Sequence, residues 1–277
     1  MANKLYIVGT PIGNLGDISP RALEILEKVD FIAAEDTRVT LKLLNHFNIK
    51  NTLVSYHEHN KLEMGERITE RILSGESCAL VTDAGMPAIS DPGEDLVRLC
   101  IERGAQVESV PGPCAFATAL ALSGMPARRF TFEGFLPQDK KEKSAALERI
   151  KNSQMTVLLY EAPHRLSKTL CELYSACGDR EIAIVREITK LHEQVIKTTL
   201  FEASEKYKDE ALKGEIVLVI GAAEPEEKEK ISFEEAVKYA FELIRNGESK
   251  ASAAKMAAAE WGYKRNEIYR RLTQEDD

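Results

Sequence analysis

The sequence predicts an α/β protein: two α/β domains, the first on a largely parallel sheet and the second on a mixed sheet, with a small helical module at the end. Three observations predict it. Over 1–125, short apolar runs alternate five times with segments of helical period, as strand and helix do in a parallel sheet. Over 126–223, strong apolar strands stand closer together and are joined by shorter links, which points to mixed pairing. Over 231–277 the spacing is helical, in three short segments that suggest a helix-turn-helix-like module.

The chain opens with a strand at 4–8 and a glycine-rich loop, Gly-Thr-Pro-Ile-Gly-Asn-Leu-Gly-Asp, at 9–17. Ser19 before Pro20 starts a helix carried by Ala22, Leu23, Leu26 and Val29. Glycines at 9, 13 and 16 do not match G-x-G-x-x-G, and no Gly-Lys-Ser/Thr follows. Neither a dinucleotide pyrophosphate nor a triphosphate is expected there; close backbone approach to a less charged ligand stays open. A strand at 31–34 ends in Glu35-Asp36-Thr37-Arg38, and a helix follows through Leu41, Leu44 and Phe47. Asp36 can serve either as that helix's cap or in a reaction. After a strand at 52–56, His57-Glu58-His59 has metal-ligand spacing but no clear third ligand nearby, so no metal is expected.

A helix at 61–73 leads to the strand 78–82 and the most constrained loop of the chain, Thr-Asp-Ala-Gly-Met-Pro-Ala-Ile-Ser-Asp-Pro-Gly, at 82–93. Gly85 and Gly93 permit unusual backbone angles, while Pro87 and Pro92 fix φ and remove amides. At about ten residues it exceeds the usual 2–6 of a strand-to-helix link, and it follows the carboxyl end of a strand, where open α/β sheets bind ligands. A helix at 94–103, a strand at 106–110, Pro111-Gly112-Pro113 and a small-residue helix at 114–123 complete the first domain. Its loops 9–17, 35–38, 83–92 and 111–114 should gather along one sheet edge.

The rhythm changes near Gly124-Met125-Pro126, where a domain 126–223 begins. Its strand 130–133 ends in Gly134-Phe135-Leu136-Pro137; a polar helix covers 140–151 and a strand 156–160. Glu161-Ala162-Pro163-His164-Arg165 opens the next helix, strands 182–187 and 194–199 flank Ile188-Thr189-Lys190-Leu191-His192, and Gly214-Glu215 opens the last strand. A charged linker, 224–230, separates the module 231–277.

No apolar run reaches membrane-spanning length, and Met-Ala-Asn-Lys lacks a signal-peptide pattern, so a soluble, cytoplasmic protein is expected. Five scattered cysteines without a C-x-x-C pair read as reduced core thiols. The net charge of -8 requires any nucleic-acid contact to come from a local basic patch. One stands in the tail: between 245 and 271 seven basic residues, among them Lys264, Arg265, Arg270 and Arg271, face three glutamates. That reversal of sign favours a polyanionic partner.

The glycine-rich opening, Ala-Glu-Asp-Thr-Arg, the 82–93 loop, Pro-Gly-Pro, Glu-Ala-Pro-His-Arg and Glu-Ile-Thr-Lys-Leu-His-Glu occur in the order seen in the ribosomal RNA small-subunit methyltransferase I family. The chain resembles that family, a branch of the tetrapyrrole methylase superfamily, over essentially its whole length. The resemblance implies methyl transfer from S-adenosyl-L-methionine to the ribose 2′-oxygen of a cytidine in the decoding region of small-subunit ribosomal RNA, and a homodimer. It places the cofactor in a cleft between the two α/β domains, against Pro11, Gly13, Asp83, Ala84, Gly85, Pro87, Ile89 and Ser90, then Pro111, Pro113 and Cys114, and, from the second domain, Phe135, Leu136, Gly214 and Glu215. Asp36, Glu161 and Lys190 follow strands on both sides of that cleft and are the candidates for chemistry; Arg38, His164 and Arg165 are candidates for RNA phosphates. Two other readings are a methylase of tetrapyrrole rings and a non-catalytic RNA-binding assembly factor.

Overall fold

The computed structural model describes residues 3–208, 210, 212–223 and 231–274. The chain forms two compact units, Met1–Ala223 and Glu224–Asp277, and the expected linker 224–230 lies outside the described residues.

Five strands, β1 (Lys4–Val8), β2 (Phe31–Ala34), β3 (Leu53–Ser55), β4 (Cys78–Val81) and β5 (Gln106–Val110), form the first sheet in the order β3-β2-β4-β1-β5. Every pairing is parallel. Helices α1 (Pro20–Lys28), α2 (Thr37–His46), α3 (Lys61–Leu73), α4 (Glu94–Glu102) and α5 (Ala115–Ser123) follow the strands in turn. Side chains alternate across the sheet. Tyr6, Val8, Ile32 and Val81 pack with α1 and α2 through Ala22, Leu26 and Leu44. Leu5, Ile7, Phe31 and Leu80 pack on the other face with Ile68 and Ile72 of α3 and Leu96 of α4. Burial on both faces explains why these strands read as unbroken apolar runs. Ser19 accepts from the Ala22 amide, with Pro20 in the first turn, and so fixes the start of α1.

The second sheet is mixed. Its strands β6 (Phe130–Phe135), β7 (Thr156–Glu161), β8 (Glu181–Arg186), β9 (Gln194–Thr199) and β10 (Ile216–Ile220) lie in the order β6-β7-β10-β8-β9. Strands β6 and β7 pair in parallel; β10 runs antiparallel to both its neighbours, and β8 to β9. Helices α6 (Lys140–Asn152), α7 (Leu166–Cys177) and α8 (Leu200–Lys206) cover one face, through Ile150, Leu170 and Ala203 against Leu159, Ile184 and Leu218. The other face is closed by α5, which precedes the second sheet in the chain: Ala119 and Leu120 pack with Leu158, Val217 and Val219, and Ile12 of the first loop joins them. Helix α5 can do this because its sequence, AFATALALS, is apolar nearly all round.

The cysteines divide differently from expectation. Cys78 and Cys100 are buried, Cys114 and Cys177 are half-buried, and Cys171 is exposed. Cys171 lies in an apolar stretch, but the buried face of α7 is carried by Leu166, Thr169, Leu170 and Leu173.

The second unit contains α9 (Phe233–Arg245), α10 (Lys250–Trp261) and α11 (Arg265–Gln274). Ser232 and Glu235 form a reciprocal capping box at α9, and Ser249 caps α10. Val237 and Ala240 of α9, Ala253 and Ala257 of α10, and Ile268 and Leu272 of α11 make its core. Lys264, Arg265, Arg270 and Arg271 are exposed. No helix among the described residues is long and apolar enough to cross a membrane.

Candidate functional site

All five strands of the first sheet point the same way, so the turns after β1, β4 and β5 meet at one edge. They are locked together by backbone. Thr10 and Gly85 exchange two hydrogen bonds, 2.9 Å and 3.1 Å, and the Thr10 hydroxyl donates to the Thr82 carbonyl at 3.2 Å. Gly85 has φ +89°, the left-handed region that glycine tolerates. Ala88 and Ser90 in the same loop are also left-handed, at φ 67° and 63°, a conformation costly for residues with a Cβ and held here by the surroundings. Ser90 lies against Gly134 of β6: a Cβ at Gly134 would come within 3.0 Å of the Ser90 hydroxyl.

Between this edge and the second sheet lies a cavity of about 430 Å³. From the first half it is lined by Ile12, Asp83, Ala84, Gly85, Ile89 and Cys114; from the second by Phe135, Tyr160, Ile188, Ile216 and Val217. Five carboxylates, Glu35, Asp83, Asp91, Glu161 and Glu215, border it, and among the described residues no lysine, arginine or histidine does. Desolvation and like charge show in the titration of two of them. Burial, and then the Glu35 charge, push Asp91 up to about 6. The same two causes raise Asp83.

Three of these carboxylates are held by hydrogen bonds. The Thr82 hydroxyl donates to Glu35 at 2.5 Å, and the Asp36 amide donates to Asp83 at 3.1 Å. Glu161 accepts from the Thr169 hydroxyl at 2.5 Å and from the Ala162 amide at 2.7 Å, with the Arg165 Nε at 3.5 Å. The Tyr160 hydroxyl accepts from the Phe116 amide at 3.3 Å, and burial pushes its pKa up to about 12, so it stays neutral.

Of the residues singled out in the sequence, Asp83, Ala84, Gly85, Ile89, Cys114, Phe135, Glu161 and Glu215 come together on the cavity wall. Others stand just outside it. Gly13 is crossed by Lys190, whose Cγ would lie 2.6 Å from a Cβ there. The Lys190 ammonium bonds Glu187 at 3.0 Å and Glu215 at 3.4 Å. Burial pulls its pKa down, but those two carboxylates outweigh it and raise it overall. Gly214 leaves room for Glu187, which a Cβ would overlap, and Glu187 in turn accepts from the Glu215 amide at 3.2 Å. Pro87 is buried, Pro111 exposed and Pro113 half-buried. Leu136 belongs to the core of the second sheet, and its carbonyl accepts from Arg165 at 2.7 Å. Arg165 is thus turned inward to Leu136 and Glu161, whereas His164 is exposed. Pro11 lines a neighbouring groove, and Ser90 a shallow one beside His57 and His59.

Asp36 does not line the cavity. It caps α2, accepting from the Arg38 amide at 2.8 Å and pairing with its guanidinium at 2.6 Å, contacts that hold its carboxyl at about 2. Glu35, Tyr160 and Ile188 are wall residues the sequence did not single out, and Asp91 joins the wall as the end of the 83–91 stretch.

Residues 4–204 match the family model for tetrapyrrole (corrin/porphyrin) methylases, so fold and cleft are those of this class of methylases. The chain is 45% identical to the ribosomal RNA small subunit methyltransferase I of Halalkalibacterium halodurans, over 98% of its own length and 95% of that protein. The Thermotoga maritima protein of the same name is 44% identical over 221 residues, 80% of this chain and 99% of that one. Among solved structures, uroporphyrin-III C-methyltransferase from Thermus thermophilus, complexed with S-adenosylhomocysteine, shares the fold with a TM-score of 0.55 at 18% identity, covering 78% of this chain and 96% of that one. The chain belongs to the ribosomal RNA small subunit methyltransferase I family of tetrapyrrole methylases.

Methylases of this family take their methyl group from S-adenosyl-L-methionine, and the cavity fits such a donor. It is apolar over much of its wall, and its carboxylates suit a ligand carrying a sulfonium and an ammonium and no phosphate.

Proposed function

We propose that the protein methylates the ribose 2′-oxygen of a cytidine in the decoding region of 16S ribosomal RNA. The observation that carries this reading is the cavity bordered by five carboxylates and, among the described residues, no basic side chain, which favours a cationic methyl donor over any phosphate-bearing cofactor. The relatives' shared name and the motif resemblance supply the acceptor. When bound, S-adenosyl-L-methionine would supply an electrophilic methyl group to the acceptor hydroxyl, with its sulfur as the leaving group and a base taking the hydroxyl proton.

The protein's own task is to fix geometry and to manage that proton. In this reading the loop 83–91, Pro111, Pro113, Cys114, Phe135 and Gly214 with Glu215 hold the donor, backed by Pro11, Gly13 and Leu136. Glu161 lines the cavity with both oxygens engaged, which fixes its orientation, and Lys190 stands just outside it, bonded to the lining residue Glu215. We assign these two to catalysis. Asp36 enters as a positioning residue, because its amide holds Asp83. Arg38, His164 and the exposed cations of α11 hold RNA, while Arg165 steadies Glu161.

The same reading takes 1–125, 126–223 and 231–277 as domains, a homodimer as the working state and the cytoplasm as its location. The test is transfer of a labelled methyl group to small ribosomal subunits from cells lacking the gene. Label on the ribose, at a linkage that resists alkali, is expected; label on a base, or on a porphyrinoid instead of RNA, overturns the assignment.

A further inference from the structure

Beside the donor cavity, and sharing Thr82 and Asp83 with it, a second groove of about 360 Å³ runs between the 10–15 loop and α2. Its character is the opposite of its neighbour's. Lys42 and His46 line it, both exposed, and among the described residues Asp83 is its one carboxylate. Arg38, Lys42 and His46 are spaced four apart on α2, so one basic side chain recurs at every turn along a single stripe. Next to that stripe, Val39 and Leu43 face the groove together with Leu15; Leu15 and Val39 are exposed at 40% and 37%. An apolar strip beside a row of basic hydrogen-bond donors matches the two sides of a single strand of RNA: bases pack on the first and phosphates bind the second.

We propose that this groove seats the acceptor strand, with a base against Leu15, Val39 and Leu43, its phosphates on Lys42 and His46, and its ribose at the Thr82–Asp83 wall shared with the donor cavity. The inference rests on the reading of the protein as an RNA methyltransferase and adds where the strand lies. Juxtaposition of the two compartments explains how a polyanion reaches a donor in a cavity bordered by carboxylates. The phosphates stay on the basic side and the sugar alone crosses to the acidic wall.

The test uses the full chain and small ribosomal subunits lacking the modification, measuring KM and kcat for methyl transfer, S-adenosylmethionine affinity by calorimetry, and thermal melting. The double variant Lys42→Glu/His46→Glu and the single variant Val39→Asp are compared with Lys151→Glu, which reverses an exposed charge at the end of α6. We expect about a tenfold rise in KM for the first two and, for the double variant, a salt dependence of subunit binding shallower by about one unit for each phosphate no longer paired. Donor affinity and melting temperature should stay at wild-type values, and Lys151→Glu should match wild type throughout. Wild-type KM and salt slope in both groove variants overturn the groove assignment while leaving the activity intact. A wild-type enzyme that methylates no subunit overturns the activity itself, and the groove assignment with it.

Discussion

Gly9 and Gly112 stand backbone against backbone: a Cβ on Gly9 would lie 2.6 Å from the Gly112 Cα and equally close to the Met86 sulfur. This contact joins the turns after β1 and β5 and lets the third turn, at Gly85, close on Thr10.

Gly9→Ala should therefore act as overpacking at a site that cannot yield. A loss of about 1–3 kcal/mol, read as a lower melting temperature, is expected. Gly104→Ala is the control, with nothing within 4 Å and only its φ of +79° to strain it, and should cost about 1–2 kcal/mol without touching donor affinity. If Gly9→Ala binds and melts like wild type, the three turns are not held together at this point.

Gly85→Val should abolish S-adenosylmethionine binding in calorimetry while far-ultraviolet circular dichroism stays native. Valine tolerates the +89° φ poorly, and its methyls would press toward Ile12, only 3.5 Å from the position of a Cβ. Undiminished affinity would show that the donor lies elsewhere.

Asp91 gives a pH dependence with a definite sign. Its folded value of about 6 lies above the ordinary carboxylate value, so the folded state holds a proton that the unfolded state has lost. Stability is then lost as pH rises through the window from about 4 to 6. Asp91→Asn should melt higher than wild type at pH 7, with the gap closing toward pH 4. A gap independent of pH would mean that the gain comes from packing.

Glu161→Gln and Lys190→Ala should lower kcat by about 10²-fold or more with donor affinity changed less than about threefold, if these groups act in the transition state. Equal losses in both quantities would demote them to struts of the Thr169 and Glu215 contacts.

Removal of 226–277 should leave donor affinity unchanged and weaken binding to the small subunit, with the loss largest at low salt. Reversal of Lys264, Arg265, Arg270 and Arg271 should reproduce it. The Thermotoga maritima relative spends 99% of its length on 221 matched residues, so a tail of this size is not common to the family. An unchanged salt slope with a depressed melt would make the tail a stabiliser.

What the sequence disclosed, and what it hid, divides along physical lines. Strands buried on both faces, the Ser19-Pro20 start and the constrained 82–93 loop all carry local signals, and each stands where those signals put it. Position 36 shows the limit. Glu35 and Asp36 are adjacent acids at one strand end, and the sequence drew attention to the second; in the structure α2 claims Asp36 as its cap, which leaves Glu35 for the cavity. The strong preference of aspartate for a helix cap was the available clue. Tyr160 and Val217 reach the same wall because β7 and β10 pair antiparallel at those two residues, a register that no local pattern encodes. Likewise α5 follows β5 in the chain yet covers the other sheet, and its nearly all-round apolarity gives no direction.

The central place of β10 bears on how the chain is made. The first sheet has all its strands once residue 110 has been synthesised, but the second lacks its middle until residue 220. Until then β7 and β8 present open edges to the same gap, the arrangement that invites pairing with a foreign strand. A nascent chain stalled or cleaved before Ile216 should thus carry a finished first half and an adhesive second one. Folding from the amino terminus protects half of this molecule early and leaves the other half to the last strand.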